Sequence, residues 1–128
     1  MPDKHNEINT QIVTCGPLGA TLFIQAGWKF FKANRSYIVR AVKEVHTTAG
    51  NQTFKLMKCS ADQAIAEGTN LFGTDMDLAT TANYWVAGTL TTNEFARNLV
   101  AGDELACLPA GSVSSLAGCI LRVELEAI

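Results

Sequence analysis

The chain has 128 residues, 48% of them hydrophobic and 17% charged, with a formal net charge of −2 and a pI near 5.6. That length suits one domain with one core, and so apolar a composition implies a surface that is neutral or covered by other chains. Lys and Arg are not concentrated as a nucleic-acid face requires, and no run approaches the roughly eighteen apolar residues of a membrane span. Neither nucleic acid nor a membrane is an expected partner.

The polar start, MPDKHNEINTQ, does not read as a secretory signal. A flexible arm is expected over residues 1–11, followed by a single β-sandwich domain over 12–128. From there β-branched and aromatic clusters alternate with turn residues at short intervals, and no long helical period develops. Strands are expected over QIVTC (11–15), ATLFIQ (20–25), WKFFKA (28–33) and SYIVRAVKEVH (36–46). TTAGNQ (47–52) reads as a hairpin turn, since Gly50 and Asn51 both tolerate positive φ. TFKLMKC (53–59) follows as a strand. The Ala-rich run Ala61–Glu67 reads as a helical turn or two stopped by Gly68, and a loop with a short strand near DMDLA comes next. Later strands are NYWVAGTLT (83–91), ELACL (104–108) and GCILRVELEAI (118–128), the last two joined by the loop PAGSVSSLAG (109–118).

In the last strand Cys119, Leu121, Val123 and Leu125 share one face, and Arg122, Glu124 and Glu126 share the other. Such alternation marks a half-buried antiparallel strand. About eight short strands without helix–strand alternation predict an all-β fold, a single-domain antiparallel β-sandwich or jelly roll.

Cys15, Cys59, Cys107 and Cys119 form no CxxC pair and read as core thiols. His5 and His46 lie far from any cysteine pair, so no metal or other cofactor is expected. Asp103 and Glu104 in LVAGDELACL are adjacent and must face opposite sides of a strand. They cannot face each other across a cleft as a hydrolase pair does. Gly102 and Asp103 instead suit a turn feeding a strand, with Glu104 outward and Leu105 and Cys107 inward. Asp75 and Asp77 share a side but lack the other oxygens a calcium loop needs, so they read as solvated loop acids. His46, with Glu44 on the same face, reads as a surface or cross-strand histidine, there being no nucleophile motif such as GxSxG. No catalytic residue, and no enzyme, is expected.

Trp28, Phe30 and Phe31 cluster, as do Tyr84 and Trp85. Neighbouring strand residues face opposite sides, so one of each adjacent pair should face away from its sheet's core. Outward aromatics suit a subunit interface, or stacking on a glycan.

Four segments together carry a resemblance: FKANRSYIVRAVKEVHTTAG (31–50), AIAEGTNLF (64–72), DLATTANYWVAGTL (77–90) and LVAGDELACLPAGSVSSLAGCILRVEL (99–125). In order, they are similar to small head proteins of tailed bacteriophages that decorate or cement the capsid. The resemblance implies a small β-sandwich on the virion surface, a homotrimer bound to the major capsid protein after assembly in the host cytoplasm. At the level of fold alone, the AGDEL…LAG ending resembles trimeric jelly rolls of the tumour-necrosis-factor and C1q type. The runner-up expectation is a head-fibre, spike or tail adhesion module that binds host-surface glycans.

Overall fold

The structure is a computed structural model and describes residues 10–18, 28–110 and 115–128. Its strands are β1 (Thr10–Leu18), β2 (Trp28–Lys32), β3 (Tyr37–Val45), β4 (Thr53–Cys59), β5 (Thr69–Asn70) and β6 (Phe72–Thr74). They continue as β7 (Met76–Asp77), β8 (Val86–Ala87), β9 (Thr89–Leu90), β10 (Asn98–Leu99), β11 (Glu104–Pro109) and β12 (Cys119–Ala127). A 3-10 turn spans Ile65–Glu67, and one short helix, α1, spans Glu94–Arg97.

Two antiparallel sheets form the sandwich. The first runs β1-β12-β3-β10, with β8 also on β3; the second runs β2-β11-β4-β5, with β7 also on β4. Setting aside the short strands β6 to β9, the chain visits the sheets in a definite pattern. The first, eighth, third and sixth strands make one sheet, and the second, seventh, fourth and fifth make the other. That is the double Greek key of an eight-stranded jelly roll. The expected all-β sandwich is therefore the observed fold, and β6 and β9 add a small two-stranded flap.

Most expected strands lie within a residue or two of the observed ones, and 53–59 matches at both ends. β1 takes in Thr10 and Gln11, while residues 1–9 of the expected arm and the expected strand at 20–25 lie outside the described residues. Two expectations are corrected. Residues 47–52 do not make a hairpin, because β3 and β4 belong to different sheets. The segment crosses between them, tied by Gly50 N–H to the Leu78 carbonyl at 2.9 Å and by Thr48 to Ala117. The single strand expected over 83–91 is instead β8 and β9, split at Gly88. A Cβ there would come within 2.7 Å of Phe72 and 2.9 Å of Met76, so the backbone packs directly against core side chains.

The core lies between the sheets. Val13, Val39, Val42, Leu121, Val123 and Leu125 from the first sheet meet Phe54, Leu56, Leu105 and Cys107 from the second. Leu71, Phe72, Leu78 and Leu116 close it from the connections, with Phe72 edge-on to Phe54 at 5.7 Å between ring centres. Each fully buried Leu or Phe contributes about 1.5–3 kcal/mol through loss of apolar surface to water. A second, smaller cluster lies on the outer face of the second sheet, where Met57, Cys59 and Ala106 pack with Ile65 and Leu108.

Candidate functional site

The most unusual chemistry sits at the end of β3. Val39 pairs with Leu125 and Ala41 with Glu124, which leaves Arg40 as an extra residue. This is a β-bulge, and it shifts the inward face of β3 by one position. Tyr37 and Val39 enter the core before it; Val42 does so after it, with Glu44 and His46 buried on the same side. The expectation of a surface histidine is thereby corrected. The pair shares a face as expected, but the bulge turns that face inward, and both side chains are 0% exposed.

His46 Nδ1 lies 2.8 Å from Glu44 Oε2, and Nε2 lies 2.8 Å from the Thr80 carbonyl. The carbonyl can only accept, so Nε2 carries a proton, and Nδ1 shares a hydrogen bond with the Glu44 carboxyl group. The Cys119 thiol donates to the same Glu44 oxygen at 3.3 Å. Burial pulls the His46 pKa down, but the Glu44 and Thr80 hydrogen bonds and the charges of Glu44 and Asp77 outweigh it, so the net shift is upward. The His46 carbonyl also accepts from Asn83 N–H at 2.8 Å, where Asn83 turns through φ 67°. Side chain and backbone of one buried histidine thus fasten residues 80–83. With both ring nitrogens engaged and no exposed surface, His46 has no free nitrogen to offer a substrate.

The loop so fastened carries Tyr84, 66% exposed, and Trp85, 50% exposed. A shallow depression lined by Thr80, Thr81, Tyr84 and Val86 lies beside them. The expectation that one of the two rings would turn inward is corrected: residues 83–85 are not strand, so alternation does not apply to them. Phe95 on α1 is 84% exposed and Trp28 at the start of β2 is 42% exposed, whereas Phe31 is partly buried and packs edge-on against Tyr37 at 6.2 Å.

Asp103 and Glu104 occupy the roles a turn requires. Asp103 Oδ2 accepts from Val100 N–H at 3.0 Å, and Asp103 N–H donates to the Val100 carbonyl at 2.9 Å. Gly102 supplies φ 98°, a region open to glycine at little cost. Glu104 meets Lys29 on the outer face at 3.0 Å, while Leu105 and Cys107 are fully buried. Asp75 accepts from Asn70 at 3.0 Å, and Asp77 accepts from Ala79 N–H at 2.8 Å. Both therefore brace their own loop.

All four cysteines are free and buried. Cys107 is held well above its ordinary pKa by a hydrogen bond with Cys15 and by burial. Burial and the neighbouring Glu44 push Cys119 up as well. Such thiols stay protonated and pack as small apolar groups. Among the described residues, no group of three or more His, Cys, Asp or Glu side chains is placed to hold a metal ion. His5 lies outside the described residues.

The aromatic corner was legible in sequence as two adjacent rings, but its brace was not. The one signal was the step from Val39 to Val42, three positions where alternation demands two. Compared with known proteins, the chain matches no family model, no curated protein and no solved structure.

Proposed function

We propose that this chain is a bacteriophage virion structural protein that decorates the expanded capsid and stabilises it by binding across major capsid protein subunits. The observation that carries this reading is the aromatic corner. Tyr84 and Trp85 stand exposed side by side on a loop fixed to a buried Glu44–His46 pair. A rigid, exposed pair of large rings is what an interface anchor needs, because little side-chain freedom is lost on docking. A protein that binds only the expanded shell stabilises that state by mass action. Binding as a trimer, at the virion surface after assembly in the host cytoplasm, would turn weak single contacts into firm retention.

The test is co-sedimentation with expanded capsids of the encoding phage that lack this chain. Saturable pelleting at a fixed ratio to the major capsid protein is the expected result. A folded chain that stays in the supernatant overturns the reading.

One observation favours a second reading, adhesion to host-surface glycans by a head-fibre, spike or tail module. The depression beside Tyr84 brings two threonines, Thr80 and Thr81, next to an exposed ring, and sugar rings stack on aromatics while hydrogen-bonding hydroxyls. Quenching of tryptophan fluorescence by glycans, with no pelleting, would select that reading.

A further inference from the structure

The outer face of the first sheet carries a charge arrangement that the chain does not resolve by itself. In the β12–β3 ladder Arg122 lies directly opposite Lys43, and both side chains are exposed. Directly opposed residues hold their Cβ atoms about 5 Å apart, and like charges there are destabilising. The row continues to Thr14 on β1 and to Ala87 on β8, so the two cations sit in its centre. Among the described residues neither side chain has an ion-pair partner, although Arg40, Lys29 and Arg97 each have one. Ala41, Lys43, Arg122 and Glu124 line a depression. Ala41 is small, which leaves space between the longer side chains around it.

We infer that this row is a docking site for an acidic segment of the shell protein, with a carboxylate seated across Lys43 and Arg122 on the side of the Ile120–Val45 row, away from Glu124, which stands opposite Ala41. The inference rests on the capsid reading above and names the face that meets the shell. Charge complementarity selects a carboxylate. The surroundings select a polypeptide. Ile12, 41% exposed, lies opposite Glu124 in the adjacent row, and Ile120 pairs with Val45 on the other side of the cations. An apolar flank of this kind suits a protein contact. Glu124 and Glu126 stand on the same face and would repel a polyanion such as nucleic acid, whose binding requires a continuous run of cations. Over a carboxylate, the like-charge pair becomes a two-pronged clamp.

The decisive experiment places a photo-crosslinker, p-benzoylphenylalanine, at exposed Thr14 during phage growth, followed by virion purification and mass spectrometry. An adduct with a shell-protein peptide containing Asp or Glu is expected. Chain present in virions without an adduct, or joined to a second copy of itself, a glycan or nucleic acid, overturns the inference alone. Chain absent from virions overturns the capsid reading and this inference with it. Lys43→Glu supplies a second measurement, because it replaces repulsion by an opposite-charge pair with Arg122. Its melting temperature should rise by a few degrees while retention on shells falls about tenfold or more. Unchanged retention overturns the docking role.

Discussion

The two sides of the first sheet treat charge in opposite ways. On the inner side Glu44 is matched by His46, and the ring's second nitrogen is matched by the Thr80 carbonyl. On the outer side, one residue away, Lys43 faces Arg122. Even the Arg40–Glu126 pair on that face is exposed, 42% and 44% at the two side chains, and such a pair contributes little. The second sheet sharpens the contrast, because the chain covers its outer face with its own residues. The segment at 60–67 lies over Met57, Cys59 and Ala106, held by Lys29 Nζ donating to the Gln63 carbonyl at 2.8 Å. On the inner side Glu44 Oε2 has His46 and Cys119 as partners, although its Oε1 is buried without a hydrogen bond; on the outer side Lys43 and Arg122 have no ion-pair partner among the described residues.

The largest effect should come from breaking the inner match. Glu44→Ala strips the buried His46 ring of its hydrogen-bond partner and counter-charge, so that burial then favours the neutral ring; the expected loss is about 3–5 kcal/mol, read by urea unfolding. Thr80 and the loop to Trp85 should loosen with it, so Trp85 emission should shift under native conditions. A loss below about 1 kcal/mol would mean that the pair is not buried as described. Next in size is the covered outer face. Met57→Ala should cost about 2 kcal/mol or more, whereas Ile12→Ala on the bare face should cost under about 1 kcal/mol. Equal costs would erase the contrast between the two sheets.

How much of this was legible beforehand depends on how local each cause is. β12 alternates without interruption, so its buried Cys119, Leu121, Val123 and Leu125 and its outward Arg122 and Glu124 were all readable. The Gly102–Asp103 turn was readable too, because both hydrogen bonds lie within four residues. The face of Glu44 and His46 was not readable, since the extra residue at Arg40 inverts every later side chain of β3 and its one local sign is the three-residue step from Val39 to Val42. Two-residue strands such as β5, β8 and β10 are too short to show a period. The crossing at 47–52 looked like a hairpin because turn chemistry reports where a chain bends, not which sheet it enters. Pairing of β1 with β12 joins the two ends of the domain, and no local pattern encodes that.

The inner match also has a pH signature. His46 is raised above its ordinary value of 6.5, so the folded state holds the proton more tightly than the unfolded chain does. Its contribution is then fully present below the unfolded pKa and is lost as pH rises through the folded one. Unfolding free energy should therefore fall from about pH 6 towards alkaline pH. The same series on His46→Gln should lack that segment of the slope. A wild-type curve that rises over the interval would contradict a protonated ring.

The smallest effect on stability should come from the residue with the largest expected effect on binding. Trp85 is half exposed and stands outside the strands, so Trp85→Ala should change unfolding free energy by no more than about 0.5 kcal/mol. If the ring is an anchor, however, its truncation should weaken retention on expanded capsids by 2 kcal/mol or more, about thirtyfold. The two numbers must separate for the corner to be an interface. Should stability and binding fall together, Trp85 belongs to the brace formed by His46 and Thr80, and the contact surface must lie on the bare face of the first sheet. Lys43→Glu would then weaken retention while Trp85→Ala, corrected for its loss of folded protein, would not.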